Sequence, residues 1–256
     1  MAVSRARRGG LSVRRFLVPA EVLADAPPGG AVVLRGGEAR HAAVVLRLRV
    51  GDRVAVFDGT GVERVVRLTA VSSDEVVGRV LEAGAATAPA VRLILIQGVP
   101  KGSKMDGVVR MGTELGVGEF VPLLARRAVS EARGRVERWR RIAAAAAKQS
   151  GRADVPAVTE PQALPDALGR LPPDVLLLVL WEGEHARPIG AALRAGPTSG
   201  PVALLVGPEG GLEAEEVAVA EARGGIPVTL GPLVLRTETA GVAALAMVLY
   251  EMTLRG

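Results

Sequence analysis

The rhythm of apolar and polar positions changes near residue 90 of this 256-residue chain. Before it, apolar runs are short, at residues 15–18, 31–34, 53–57, 62–71 and 75–81, and turn signals separate them: Pro27-Pro28-Gly29-Gly30, Gly51-Asp52 and Asp58-Gly59. This pattern predicts a small β-barrel of about 70 residues, with one helix over 38–47. Residues 1–13 read as a flexible basic tail, residues 1–82 as the first domain and residues 83–90 as a linker rich in Ala and Gly. Beyond the linker, apolar strands at 92–97, 119–124, 175–180, 202–206 and around Val228 alternate with helical patterns at 104–115, 133–150, 188–194, 213–223 and 242–250. Alternation of this kind predicts an α/β domain over 91–256 with a mostly parallel sheet. In the 133–150 segment, Val136, Trp139, Ala143, Ala146 and Ala147 share one stripe and Arg135, Arg138 and Arg141 another, so one face packs and the other is cationic. The last helix is apolar nearly all round, which suits either the core or a shared surface with a second subunit.

Composition narrows the chemistry. With 49% hydrophobic residues the chain is a folded globular protein. No apolar run approaches the roughly 18 residues that span a bilayer, and Arg14, Arg15 and Glu21 interrupt the N-terminal apolar stretch where a signal-peptide core would lie. A cytoplasmic protein without a membrane partner is expected. The absence of cysteine removes disulfides, thiolate metal sites and thiol nucleophiles. Two histidines, His41 and His185, far apart in sequence, argue against a histidine metal site, so no metal is expected. The remaining chemistry must run on arginine, carboxylates, hydroxyls and backbone.

Charge is unevenly placed. Residues 1–20 carry five arginines and no acid, and residues 126–152 carry nine Arg or Lys against Glu131 and Glu137, in a chain whose total is only +5. Two concentrated basic patches fit a phosphate-backbone footprint, although solvated faces have the same composition. Two Trp, one Tyr and three Phe are too few for a base-stacking platform, so recognition would rest on arginine, backbone and shape.

Two glycine turns follow strands in the second half. Val202 to Val206 lead into Gly207-Pro208-Glu209-Gly210-Gly211, and Leu230-Gly231-Pro232 lead to Arg236, Glu238 and Thr239 ahead of the terminal helix. Glycines let backbone groups approach a ligand, and the end of a buried parallel strand is where open α/β sheets bind one. A plain βα turn uses the same residues, Thr239 also suits an N-cap, and Arg236 with Glu238 also suits a solvated ion pair. The stretch from Gly98 to Lys104 lacks the phosphate-loop spacing; Lys101 and Lys104 near a helix start remain candidates for an anion contact.

Taken in order, Arg14-Arg15-Phe16-Leu17-Val18-Pro19, Lys101-Gly102-Ser103-Lys104-Met105-Asp106, Thr113-Glu114-Leu115-Gly116-Val117, Gln149-Ser150-Gly151-Arg152, Gly207-Pro208-Glu209-Gly210-Gly211 and Leu235-Arg236-Thr237-Glu238-Thr239-Ala240 closely resemble one family. It is the small-subunit ribosomal RNA uridine-N(3) methyltransferase family, RsmE, within the SPOUT class. The resemblance implies an N-terminal PUA-like barrel for RNA, a C-terminal α/β domain with a trefoil knot, and a homodimer through that domain. It implies methyl transfer from S-adenosyl-L-methionine to nitrogen 3 of a uridine in 16S ribosomal RNA, in the assembled small subunit. The cofactor residues it implies are Leu180, Glu182, Val206, Gly207, Pro208, Glu209, Gly210, Gly211, Leu230, Gly231, Leu235, Arg236, Thr239 and Ala240. Arg236 and Glu238 would be catalytic, and Arg14, Arg15, His41, Arg47, Lys101, Arg126, Arg127 and Arg152 would meet RNA. Leu233, Ala128 and Gly107 depart from the family pattern. A ribose 2′-hydroxyl methyltransferase of the same class and a non-catalytic rRNA assembly factor are the competing readings.

Overall fold

Strands form where apolar residues run together or alternate, and both patterns are present in the computed structural model, which describes residues 13–24, 26–84, 91–126, 134–197 and 199–255. The basic tail up to residue 12, linker residues 85–90, and Arg127, Ala128 and Glu131 lie outside these. The described residues belong to two compact units, Met1–Thr87 with Gly151–Asp154, and Ala88–Ser150 with Val155–Gly256.

The first unit contains β1 (Arg14–Leu17), α1 (Ala20–Ala24), β2 (Ala31–Arg35), α2 (Gly36–Arg40), β3 (Arg53–Phe57), β4 (Glu63–Val71) and β5 (Glu75–Gly84). Its curled sheet has the order β1-β3-β4-β5-β2, with β1 and β3 parallel and the other pairs antiparallel. Phe16, Leu23, Leu34, Val56, Leu68 and Val76 fill its core. The helix predicted over 38–47 is split: α2 runs into a π-helical turn at His41–Val45, and Arg47 then takes a positive φ of 53°. A π-turn adds a residue to the helical ring and ends the regular ladder early. The strand predicted to stop at 81 continues to Gly84, two residues into the predicted linker.

The second unit contains β6 (Leu93–Gly98), α3 (Lys104–Glu114), β7 (Val117–Leu123), α4 (Val136–Ser150), β8 (Ala157–Val158), α5 (Leu164–Gly169), β9 (Leu176–Leu180), α6 (Ile189–Ala195), β10 (Val202–Val206), α7 (Ala214–Glu221), β11 (Ile226–Val228) and α8 (Thr237–Arg255). The six strands are parallel, in the order β11-β9-β10-β6-β7-β8. β6 and β10 are buried along their whole length, as continuous apolar runs require in a sheet covered on both faces. Helix α4 buries the predicted stripe of Val136, Trp139, Ala143, Ala146 and Ala147. Helix α8 starts at Thr237, earlier than the 242 expected, and includes Gly241. Glycine weakens a helix interior, but here it lets α8 approach β6: a Cβ on Gly241 would stand 2.8 Å from the Gln97 side chain. Among the described residues no helix is long and apolar enough to cross a membrane.

Candidate active site

The carboxyl ends of β9, β10 and β11 and the start of α8 enclose a cavity of about 480 Å³. β10 and β9 pair in register, Val206 beside Leu180, so the two strands deliver their following loops to the same level. After β10 the chain turns at Gly207 to Gly211, with φ +71° at Gly211, and re-enters a helix through a capping box in which Glu213 N donates to Glu216 Oε2 at 2.9 Å. After β11, Gly231 takes φ +129° and the chain returns to Arg236.

The cavity joins the two glycine loops, residues 207–211 and 230–232, that are separate in sequence. Every predicted cofactor residue lines it except Thr239. Thr239 is not the N-cap either: it is the third residue of α8, and its amide donates to Arg236 O at 2.8 Å. Thr237 lines the cavity instead, together with Lys104, Trp181, His185 and the exposed pair Leu233 and Val234, none of which was singled out as a cofactor residue. Leu180, Val206, Leu230 and Leu235 give an apolar wall, while Lys104, Glu182, Glu209 and Arg236 give a charged one. That donor set fits a ligand with an apolar ring system at one end, hydroxyls between, and a zwitterionic tail, as S-adenosylmethionine has.

Close packing beneath the loops is achieved by glycine. A Cβ on Gly98, at the end of β6, would stand 2.4 Å from Pro208 N, and one on Gly207 would stand 2.7 Å from Gly211 C. Both obstacles are backbone atoms.

Arg236 is exposed at the cavity mouth, and among the described residues no ion pair joins it to Glu238. Glu238 instead lies 3.7 Å from Lys104 Nζ, and its buried Oε2 has no hydrogen-bond partner. Glu209 accepts from Lys104 Nζ at 2.9 Å and from Lys101 N at 3.0 Å. Partial burial pushes the Glu209 carboxyl upward, but the bond from Lys104 and the backbone donors outweigh it and leave the group below its usual range. The Glu209 bond raises Lys104 above 10.5. A lowered carboxyl favours the fold above its unfolded pKa and loses that contribution as pH falls through the lowered value. A raised ammonium contributes below 10.5 and loses it in strong alkali. Lys104→Met is therefore expected to move the Glu209 titration upward, read from its carboxyl carbon by NMR; an unchanged midpoint would show that the pair does not hold the carboxylate.

The predicted RNA residues divide. Within the first unit, Arg15 donates to Glu63 Oε2 at 2.5 Å and to Arg152 O at 2.7 Å and stacks 4.9 Å from the Phe57 ring centroid. Arg152 bonds Asp154 at 2.5 Å. These two side chains are only 14% and 12% exposed and are engaged in holding Gly151–Asp154 to the sheet. His41 packs edge-on against Phe16, whereas Arg14 and Arg47 are exposed. In the second unit Lys101 is exposed, and Arg126 bonds Glu213 at 3.3 Å and, through its amide, Glu216 at 3.1 Å. Arg138 pairs with Asp106, and Arg140 with Glu160 as well as the neighbouring Glu137, so the basic segment is partly neutralised by two carboxylates outside it.

Comparison with known proteins gives two family matches: an RNA methyltransferase domain over residues 87–249 and an RNA methyltransferase PUA domain over residues 34–81. The chain is 32% identical over 232 residues to ribosomal RNA small subunit methyltransferase E of Bacillus subtilis (strain 168), covering 86% of this chain and 90% of that protein. The crystal structure of a ribosomal RNA small subunit methyltransferase E from Neisseria gonorrhoeae, bound to S-adenosyl methionine, superposes with a TM-score of 0.77 at 31% identity, covering 91% and 95% of the two chains. A putative methyltransferase of Legionella pneumophila in complex with the same cofactor gives 0.80 at 27% identity, covering 93% and 97%.

Proposed function

Because the chain belongs to the ribosomal RNA small subunit methyltransferase E family, we propose that it transfers a methyl group from S-adenosylmethionine to ring nitrogen 3 of a uridine in small-subunit ribosomal RNA, within the assembled subunit. The observation that carries this reading is the cavity in which both glycine loops meet under Arg236. Residues 91–256 form the methyltransferase domain, with the knot that the family implies, and the N-terminal sheet with Gly151–Asp154 forms the RNA-engaging domain.

The bound cofactor supplies an electrophilic methyl group. The apolar wall of Leu180, Val206, Leu230 and Leu235 encloses its ring system, backbone groups of residues 207–211 and 230–231 meet its polar atoms, and Glu182 stands beside Gly211 to meet hydroxyls. The uracil must lose its N3 proton, which leaves negative charge on two carbonyl oxygens. Arg236 at the cavity mouth stabilises that charge. Glu238 accepts the proton, although it does not itself line the cavity: what favours this over orienting Arg236 is that its Oε2 has no hydrogen-bond partner, lying 3.7 Å from Lys104 Nζ, and that among the described residues no ion pair joins it to Arg236. Transfer of labelled methyl from S-adenosylmethionine to unmodified small subunits and to naked rRNA, with nucleoside analysis, tests the reading. The expected product is 3-methyluridine on the subunit; a 2′-O-methyl product or no transfer overturns it.

The protein acts as a homodimer through α8. That helix buries Ala244, Leu245, Val248 and Met252 but exposes Met247, Tyr250 and Leu254, and Met247 and Tyr250 with Ile189, Ala243 and Ala246 line an open apolar depression of about 530 Å³. Tyr250→Arg is expected to yield a monomer in sedimentation velocity; a dimer of unchanged affinity would move the interface elsewhere.

A further inference from the structure

Gln97, next to last in β6, is fully buried and does not itself line the cavity. Its Nε2 donates to Thr237 Oγ1 at 2.8 Å and to Gly98 O at 3.2 Å, and Thr237 Oγ1 donates to Gly207 O at 2.5 Å. A hydroxyl has one proton, so a threonine that donates to Gly207 must accept from Gln97, which fixes the direction of the amide. The amide oxygen is then left without a hydrogen-bond partner against Gly241. An orphaned buried acceptor costs free energy. The bonds made by the Gln97 amide and the Thr237 hydroxyl must offset that cost.

They tie together three segments that meet through glycine. Gly98 ends β6, Gly207 begins the loop after β10, and Gly241 lies in α8; none has room for a Cβ. Thr237 stands between Arg236 and Glu238 and is the first residue of α8. Resting on the methyltransferase reading above, we infer that Thr237 is a positioning residue for the reaction, with Gln97 as its anchor. Its hydroxyl turns the Gly207 carbonyl inward, which sets the peptide plane at the head of the cofactor loop. The same hydroxyl fixes the start of α8, where Arg236 immediately precedes Thr237 and Glu238 follows it. Movement of the cofactor loop is thereby transmitted to the residues that act on the base.

Thr237→Val keeps the shape and removes the hydroxyl, while Thr237→Ser keeps the hydroxyl. Amide hydrogen exchange on the cofactor-free protein, calorimetric affinity for S-adenosylmethionine, and kcat against KM are the three readouts. In the valine variant, exchange is expected to quicken at residues 209–212 and 238–241 together, with cofactor affinity and kcat each falling about tenfold or more. The serine variant should stay within about threefold of the unaltered protein on all three. A valine variant that loses only melting temperature, with exchange at both segments, affinity and kcat unchanged, overturns the inference. If the valine variant does not fold, Gln97→Met removes the anchor and leaves the Thr237–Gly207 bond. Quickened exchange in the same two segments is then expected, and unaltered exchange overturns the inference. Unaltered protein that binds the cofactor but methylates no rRNA overturns the reaction instead, and the exchange and affinity readouts still judge Thr237.

Discussion

Arg236→Ala is expected to lower turnover by about 10²–10³-fold while leaving S-adenosylmethionine affinity within about threefold. The side chain is exposed at the cavity mouth and carries no ion pair among the described residues, so its removal leaves no buried group unpaired. The loss falls on the transition state, where deprotonated uracil has negative charge on oxygens that a preorganised guanidinium can meet. Arg236→Lys should recover part of the rate, because a point charge remains but the planar fork is lost. Single-turnover transfer to small subunits measures the first quantity and calorimetry the second. Near-normal turnover in the alanine variant would exclude Arg236 from the chemistry.

Gly98→Ala is expected to be the most damaging single methyl group in the α/β unit. The added carbon would stand 2.4 Å from Pro208 N, 2.6 Å from Pro208 Cδ and 2.7 Å from Gly207 C, so backbone and a proline ring must move. Overpacking of this kind costs about 3 kcal/mol, which lowers the melting temperature of a domain this size by about 6–12 °C. The displaced atoms belong to the cofactor loop, so affinity for S-adenosylmethionine should fall with stability. Gly107→Ala is the matched control: its Cβ would meet only Met111 Cε at 3.7 Å, within helix α3, and the change should be neutral or stabilising by about 1 kcal/mol. Thermal unfolding with and without cofactor separates the two. Equal melting temperatures for both variants would mean that the loop yields at Gly98.

The apolar runs of β6 and β10 made the parallel sheet legible, because burial on both faces leaves nothing polar to confuse the pattern. The α4 stripe was legible for the matching reason, one face buried at helical spacing. Helix α5 and strand β8 were missed where prolines at 156, 161 and 165 mask short elements; Pro165 is in the first turn of α5, where proline is tolerated. Gly241 hid the first turn of α8, since its reason for being in a helix lies on another strand. The cavity residues are largely legible through the two glycine loops, but Thr237 is not. No local signal distinguishes two threonines two residues apart when the deciding partner, Gln97, is 140 positions away. The enclosure of Arg15 is illegible in sequence for a similar reason. Its partners Glu63 and Arg152 are 48 and 137 positions distant, and sequence does not tell an enclosed guanidinium from a free one.

The four residues Gly151–Asp154 make the N-terminal sheet a non-contiguous object in the genetic sense. Gly61 N takes its acceptor from Ala153 O at 3.1 Å, and Arg15 takes one of its acceptors from Arg152. A gene fragment that stops before residue 90 encodes all five strands but leaves Gly61 N without its acceptor and strips the Arg15 guanidinium of Arg152 O, leaving it only its bond to Glu63. The sheet is therefore not a cassette that recombination can move between proteins by one cut at the domain boundary. Its inheritance is tied to that of the α/β unit whose chain supplies the missing strap.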